Sequence, residues 1–171
     1  MRHRDLFLAY LDRHFGNGPA PETPLAHQLV YDGLFKLIIQ QSAAHPLRLL
    51  MPLWVYEKTV SAYLTRLMAC AGNGMPRLQS LMKSIRIDEA RHVAGVGLTC
   101  RALVEKQKPD PVERAIVTGL CQLVVWDMDR DPWWKPELGG HMRALGLDAA
   151  AMRRDNEAVL DEIKAMLEGR G

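Results

Sequence analysis

The chain has 171 residues, 48% hydrophobic and 25% charged, which is ordinary for one soluble domain and enough to bury a core. Lys and Arg number 22 against 20 for Asp and Glu, a formal charge of +2 with no long block of one sign, so nothing advertises a nucleic-acid partner. The longest apolar run, Leu49 to Tyr56, contains Pro52 and falls well short of the roughly 20 residues a membrane-spanning helix needs.

The N-terminus reads Met1-Arg2-His3-Arg4-Asp5, and the apolar stretch Leu6 to Leu11 is too short for the core of a signal peptide; the expectation is a cytoplasmic protein. Strand signals are nearly absent, whereas apolar residues recur with a 3.6-residue period between Pro and Gly breaks, so the fold class is all-α. The breaks predict a single domain over 1–171 with six helices, at about 5–15, 25–44, 51–71, 76–106, 112–128 and 148–168. Pro52, Pro76 and Pro111 are expected at or just before helix starts, where a missing N–H costs nothing. Gly72-Asn73-Gly74 suits a tight turn, which makes the third and fourth predicted helices an antiparallel hairpin.

Cys70, Cys100 and Cys121 are odd in number, far apart and in largely apolar surroundings, as expected of reduced core thiols. The acids Asp127, Asp129 and Asp131 do not form a calcium loop of the EF-hand type. A loop opened at Asp127 would place Pro132 where that loop requires Gly and Leu138 where it requires Glu.

Two predicted helices carry ionisable groups on their apolar stripes. In 76–106 the stripe is Leu78, Leu81, Met82, Ile85, Val93, Val96, Leu103 and Val104, with Glu89 and His92 on it; in 51–71 it is Leu50, Leu53, Trp54, Val60, Leu64, Leu67 and Met68, with Glu57 in its middle. A carboxylate turned into an apolar interior is costly unless it is neutralised, and a metal ion does that. Glu and His three residues apart project from one face about a turn apart, so one helix offers an oxygen and an imidazole to the same ion. The plainer alternative is that Glu89 and His92 pair with each other or with Arg91. Against it, 32 residues separate Glu57 from Glu89, which a hairpin of two long helices brings to similar height.

Glu57 on one helix followed by Asp88-Glu89-Ala90-Arg91-His92 on the next resembles the half-site of ferritin-like di-iron carboxylate proteins, over about residues 48–100. Within that superfamily Pro52-Leu53-Trp54-Val55-Tyr56-Glu57 and Asp88 to Ala94 look most like the para-aminobenzoate N-oxygenase type of di-iron oxygenase. The resemblance implies a ferritin-like bundle. It also implies that Glu57 is a terminal or bridging ligand, that Glu89 bridges two metals and that His92 supplies a terminal nitrogen. Asp88, with Arg91 beside it, would stand behind the ligands and accept a hydrogen bond from the metal-bound imidazole of the opposite half.

The chain departs from that family in holding no second Glu-x-x-His, in having Ile85 where the N-oxygenases carry an extra histidine, and in being little more than half as long. Two completions are expected: a homodimer in which each copy supplies Glu57, Glu89 and His92, or further ligands drawn from His27, Asp32, Glu113 and Asp127. A third reading is a degenerate bundle that has lost the metal and is structural or regulatory. The leading expectation is an oxygenase that uses two irons, or manganese, with O2 on a small organic substrate held beside Trp54, Tyr56 and Met82. A ferroxidase or metal-handling protein is the alternative.

Overall fold

In the computed structural model the described residues are 44–71, 76–130 and 147–170, with positions 33, 36, 39 and 40. Two units divide the chain, Met1–Leu37 and Ile38–Gly171, and the four helices below belong to the second. The helix expected at 5–15, the Gly72-Asn73-Gly74 turn, and the candidate ligands His27 and Asp32 lie outside the described residues; of the helix expected at 25–44, the described positions 33, 36, 39 and 40 are helical and 44 is a turn.

Four helices account for most of what is described: α1 (Pro46–Ala71), α2 (Pro76–Gln107), α3 (Pro111–Arg130) and α4 (Ala149–Leu167). No strand occurs among the described residues. Pro76 and Pro111 open their helices as expected. Pro52 does not: α1 begins at Pro46, and Pro52 lies inside it. Pro46 is the better starter because it occupies the first turn, where its absent N–H has no helical acceptor. Pro52 forgoes one backbone bond and is buried.

The helix ends are chemically marked. Asp110 caps α3 by accepting from the Glu113 N–H at 2.8 Å, and Asp148 caps α4 by accepting from the Ala150 N–H at 2.9 Å. At the end of α4 Gly169 adopts φ +72°, and the N–H groups of Gly169 and Arg170 return to the carbonyls of Met166 and Ala165, a Schellman closure. Lys108 ends α2 with φ 46°, its N–H bonded to the Val104 carbonyl at 2.9 Å.

The chain runs up, down, up and down. Trp54 meets Val93 while Glu57 meets His92, so α1 and α2 are antiparallel. A three-residue link separates α2 from α3, and Arg48 near the start of α1 reaches Glu113 near the start of α3. Lys58 pairs with Glu162 and Arg66 with Asp155, which sets α4 antiparallel to α1.

α1 packs against all three other helices, and α3 packs against α4. The core therefore gathers on α1: Leu47, Met51 and Val55 are fully buried, with Cys100 and Val104 from α2, Val117 and Cys121 from α3, and Val159 and Ile163 from α4. Burial pushes the Cys100 thiol up to about 12 and raises Cys121 as well, as fits inert core thiols. Cys70 departs from the expectation and is exposed, at the last turn of α1.

Candidate metal centre

Two polar insertions interrupt the α1–α2 seam, one turn apart. The first is Trp54, 3% exposed, whose indole N–H donates to the Val93 carbonyl at 2.9 Å. That carbonyl already lies in the helical ladder of α2 and has a second lone pair to offer. Gly97 makes the approach feasible, because a Cβ there would stand 2.8 Å from the indole nitrogen. Lys58 covers the outer ring face, its ammonium 4.7 Å from the centroid.

The second insertion is the set anticipated from sequence. Glu57, Glu89 and His92 each present a ligand atom, and the three atoms lie within 4.8 Å of one another. His92 Nδ1 is 3.7 Å from Glu57 Oε2 and 3.5 Å from Glu89 Oε2. With metal–ligand bonds of about 2.1 Å, two ligands on one ion sit about 3 Å apart at a right angle and about 4.2 Å apart when opposite, and the observed distances fall between these limits, so the three groups could hold one ion.

Glu89 is 6% exposed, Glu57 is part-buried, and the His92 side chain is 54% exposed. The expectation that His92 points inward is therefore corrected. Glu89 stands near the middle of the buried face of α2, and three further residues of helical turn carry His92 to its rim. Burial first, and the adjacent Glu89 second, push Glu57 up to about 8, the behaviour of two carboxylates competing for one proton.

Asp88 and Arg91 pair with each other on the outer side of α2 at 3.1 Å, and the Arg91 side chain is 75% exposed. Arg91 is thus directed to solvent and is not the counter-charge of the buried acids. Glu113 stands apart from the cluster: the Arg48 Nε–H donates to its two oxygens at 3.1 and 3.0 Å, a second Arg48 nitrogen contacts it, and His45 approaches to 3.7 Å. Asp127 is in the last turns of α3, with its side chain outside the described residues.

The expected substrate wall is not formed by the residues named for it. Trp54 and Met82, 3% and 1% exposed, are packing residues, and only Tyr56 reaches the surface. What lies beside the cluster is an open groove of about 630 Å³ that starts at Ser61, one turn on from Glu57, and at Val93, next to His92. Its lining includes Lys58, Thr65, Arg66 and Asp155, with Arg66 holding the Asp155 carboxyl below its usual range. Two contributors escaped the sequence reading: Gly97, whose signal was a glycine interrupting the α2 stripe, and Lys58, next to Glu57.

Compared with known proteins, the chain matches no family model, no curated protein and no solved structure. What the structure defines is a class: a protein whose described residues form helices and no strand, with a part-buried carboxylate–carboxylate–histidine cluster that could hold a metal ion.

Proposed function

We propose that Glu57, Glu89 and His92 bind a divalent transition metal, iron ahead of manganese, and that the chain is one half of a ferritin-like, two-metal, oxygen-activating protein acting on a small organic molecule. The observation that carries this reading is the convergence of two carboxylates and an imidazole at ligand spacing, on two helices and with Glu89 inside the protein. Oxygen and nitrogen donors without thiolate suit iron and manganese. Bound there, the metal would supply reduction of dioxygen, chemistry that no side chain of the set can perform.

The protein's own part is positional. Glu89 is held by burial, Glu57 would release its proton to bind a cation, and His92 stands at the rim. Because His92 is half exposed, the open side of the cluster faces out of the α1–α2 pair, where a second copy would add its own three ligands. Asp88, on the same edge of α2, would then accept from the imidazole of that copy in place of Arg91.

The packed state of Trp54 and Met82 favours a second reading, a ferroxidase or metal-handling protein that needs no organic substrate beside the cluster. Both readings require the metal. Metal analysis together with molar mass, on wild type and Glu89→Ala, is the test: wild type should hold about one ion per chain, and Glu89→Ala should lose it with helix content unchanged. Equal metal in the two proteins would remove the site.

A further inference from the structure

Where α2 and α4 end and α3 begins, the surface opens into a cavity of about 500 Å³, about four helical turns beyond Glu89 along α2. Its apolar side is Val104, Met166 and Leu167, all buried, to which Pro109 adds a fourth apolar group. Its charged side is Arg101 of α2, Lys108 of the link that follows, Arg114 in the first turn of α3, and the acids Glu105 and Glu168. Pockets for small organic ligands run from roughly 300 to 1,000 Å³, so the size suits one.

The charges here are unevenly committed. Glu168 pairs with Arg170. Arg101 stands 3.7 Å from one oxygen of Glu162, whose other oxygen is held by Lys58. Among the described residues the side chains of Lys108, Arg114 and Glu105 have no ion pair or hydrogen bond. Cations therefore exceed acids, and two of the cations are uncommitted.

Helix stability does not account for this placement. The last turns of α2 and α4 already carry Lys106 and Lys164 against their negative ends. Arg114 lies at the positive end of α3, where a cation is disfavoured. Lys108 adopts φ 46°, a left-handed conformation that suits glycine and that helix C-termini commonly fill with it. The backbone at 108 prefers another residue, whereas the cavity gains an ammonium from this one.

The surroundings select the ligand. A phosphate is usually met by consecutive backbone N–H groups at a helix N-terminus or glycine-rich turn. The start of α3 is occupied in that respect by Asp110, which accepts from the Glu113 N–H. Glu105 on the same rim opposes a doubly charged head. A single carboxylate suits a guanidinium and an ammonium, and three buried apolar side chains call for an apolar body behind it.

We propose that this cavity binds a small organic carboxylate with an apolar body, its head on Lys108 and Arg114 and its body on Val104, Met166 and Leu167. The site is separate from the Glu57 cluster and needs no metal.

Isothermal titration calorimetry on the metal-free full-length chain tests it, with 3-phenylpropanoate as the probe and 3-phenylpropanamide and inorganic phosphate as comparisons. The carboxylate should bind with a Kd below about 1 mM, and the amide and phosphate about tenfold more weakly or worse. Arg114→Gln should weaken the carboxylate about tenfold. Lys108→Gly should weaken it similarly without lowering the melting temperature, because glycine suits the backbone there. Lys106→Gln removes a cation from the same helix end but outside the cavity, and should leave binding unchanged.

A Kd above about 1 mM, or no saturable binding, as when another segment of the chain fills the cavity, overturns the proposal. So does equal binding of carboxylate and phosphate, which marks general attraction to positive charge, or equal binding of carboxylate and amide. Undiminished binding in Arg114→Gln and Lys108→Gly overturns it as well. Glu89→Ala should bind the carboxylate as wild type does, so this site and the metal reading fail separately.

Discussion

The first half of α1 and the stretch that begins at Glu57 treat buried polarity in opposite ways. In the first half each polar group meets its complement: Arg48 meets the Glu113 carboxylate, and the Trp54 N–H meets the Val93 carbonyl across the notch at Gly97. At Glu57 the neighbours are a second carboxylate and a half-exposed imidazole, and the acid is pushed up to about 8. One region has the chemistry of a fastener, the other that of a receptor for positive charge.

The largest effect is expected in the fastened region. Trp54→Ala should destabilise the fold by about 3–5 kcal/mol, as for other buried Trp or Phe truncations, lowering the melting temperature by about 10 °C at roughly 2–4 °C per kcal/mol. Thermal unfolding followed by circular dichroism checks this. A loss of only one or two degrees would mean that the seam is not held there.

A smaller effect should change sign between the regions. Arg48→Met leaves the Glu113 carboxylate without its guanidinium and should lower the melting temperature by several degrees. Glu57→Gln replaces an acid that must take up a proton on folding with a neutral amide, and should raise the melting temperature of the metal-free protein at neutral pH while abolishing metal binding. Shifts in the same direction would erase the contrast.

The pH dependence is the finest of these effects. Glu57 stands at about 8 in the fold against 4.5 as an ordinary carboxyl. The native metal-free protein therefore holds a proton that the unfolded chain releases. Its stability should decline as pH rises from about 4.5 to about 8, a slope that Glu57→Gln removes. Asp155, lowered by Arg66, contributes the opposite sign, losing stability as pH falls into the acid range. A metal-free protein whose stability rises across the Glu57 window would contradict the account.

The all-helical class and the starts at Pro76 and Pro111 were legible because Pro and Gly punctuate a regular apolar period. The grouping of Glu57, Glu89 and His92 was legible because helical spacing and hairpin geometry are both set locally. The start of α1 was not: Leu49 to Tyr56 is apolar in almost every direction, so a single stripe left out Met51 and Val55, which are fully buried because α1 packs against three helices. Glu113 was drawn to Arg48, 65 residues away, a contact that no local pattern encodes. The substrate wall failed for a related reason. Trp54 and Met82 were correctly read as inward, but inward residues fill a seam when a glycine such as Gly97 lets them close it.

Anaerobic titration of the metal-free protein with ferrous iron, followed by melting temperature, addresses the cluster most directly. A ligand that binds only the folded state adds about 2.7 kcal/mol at a hundred times its Kd, so wild type should rise by about 5–10 °C and Glu89→Ala should not rise. No rise in wild type, or an equal rise in both proteins, would contradict the assignment of Glu57, Glu89 and His92 as a metal site.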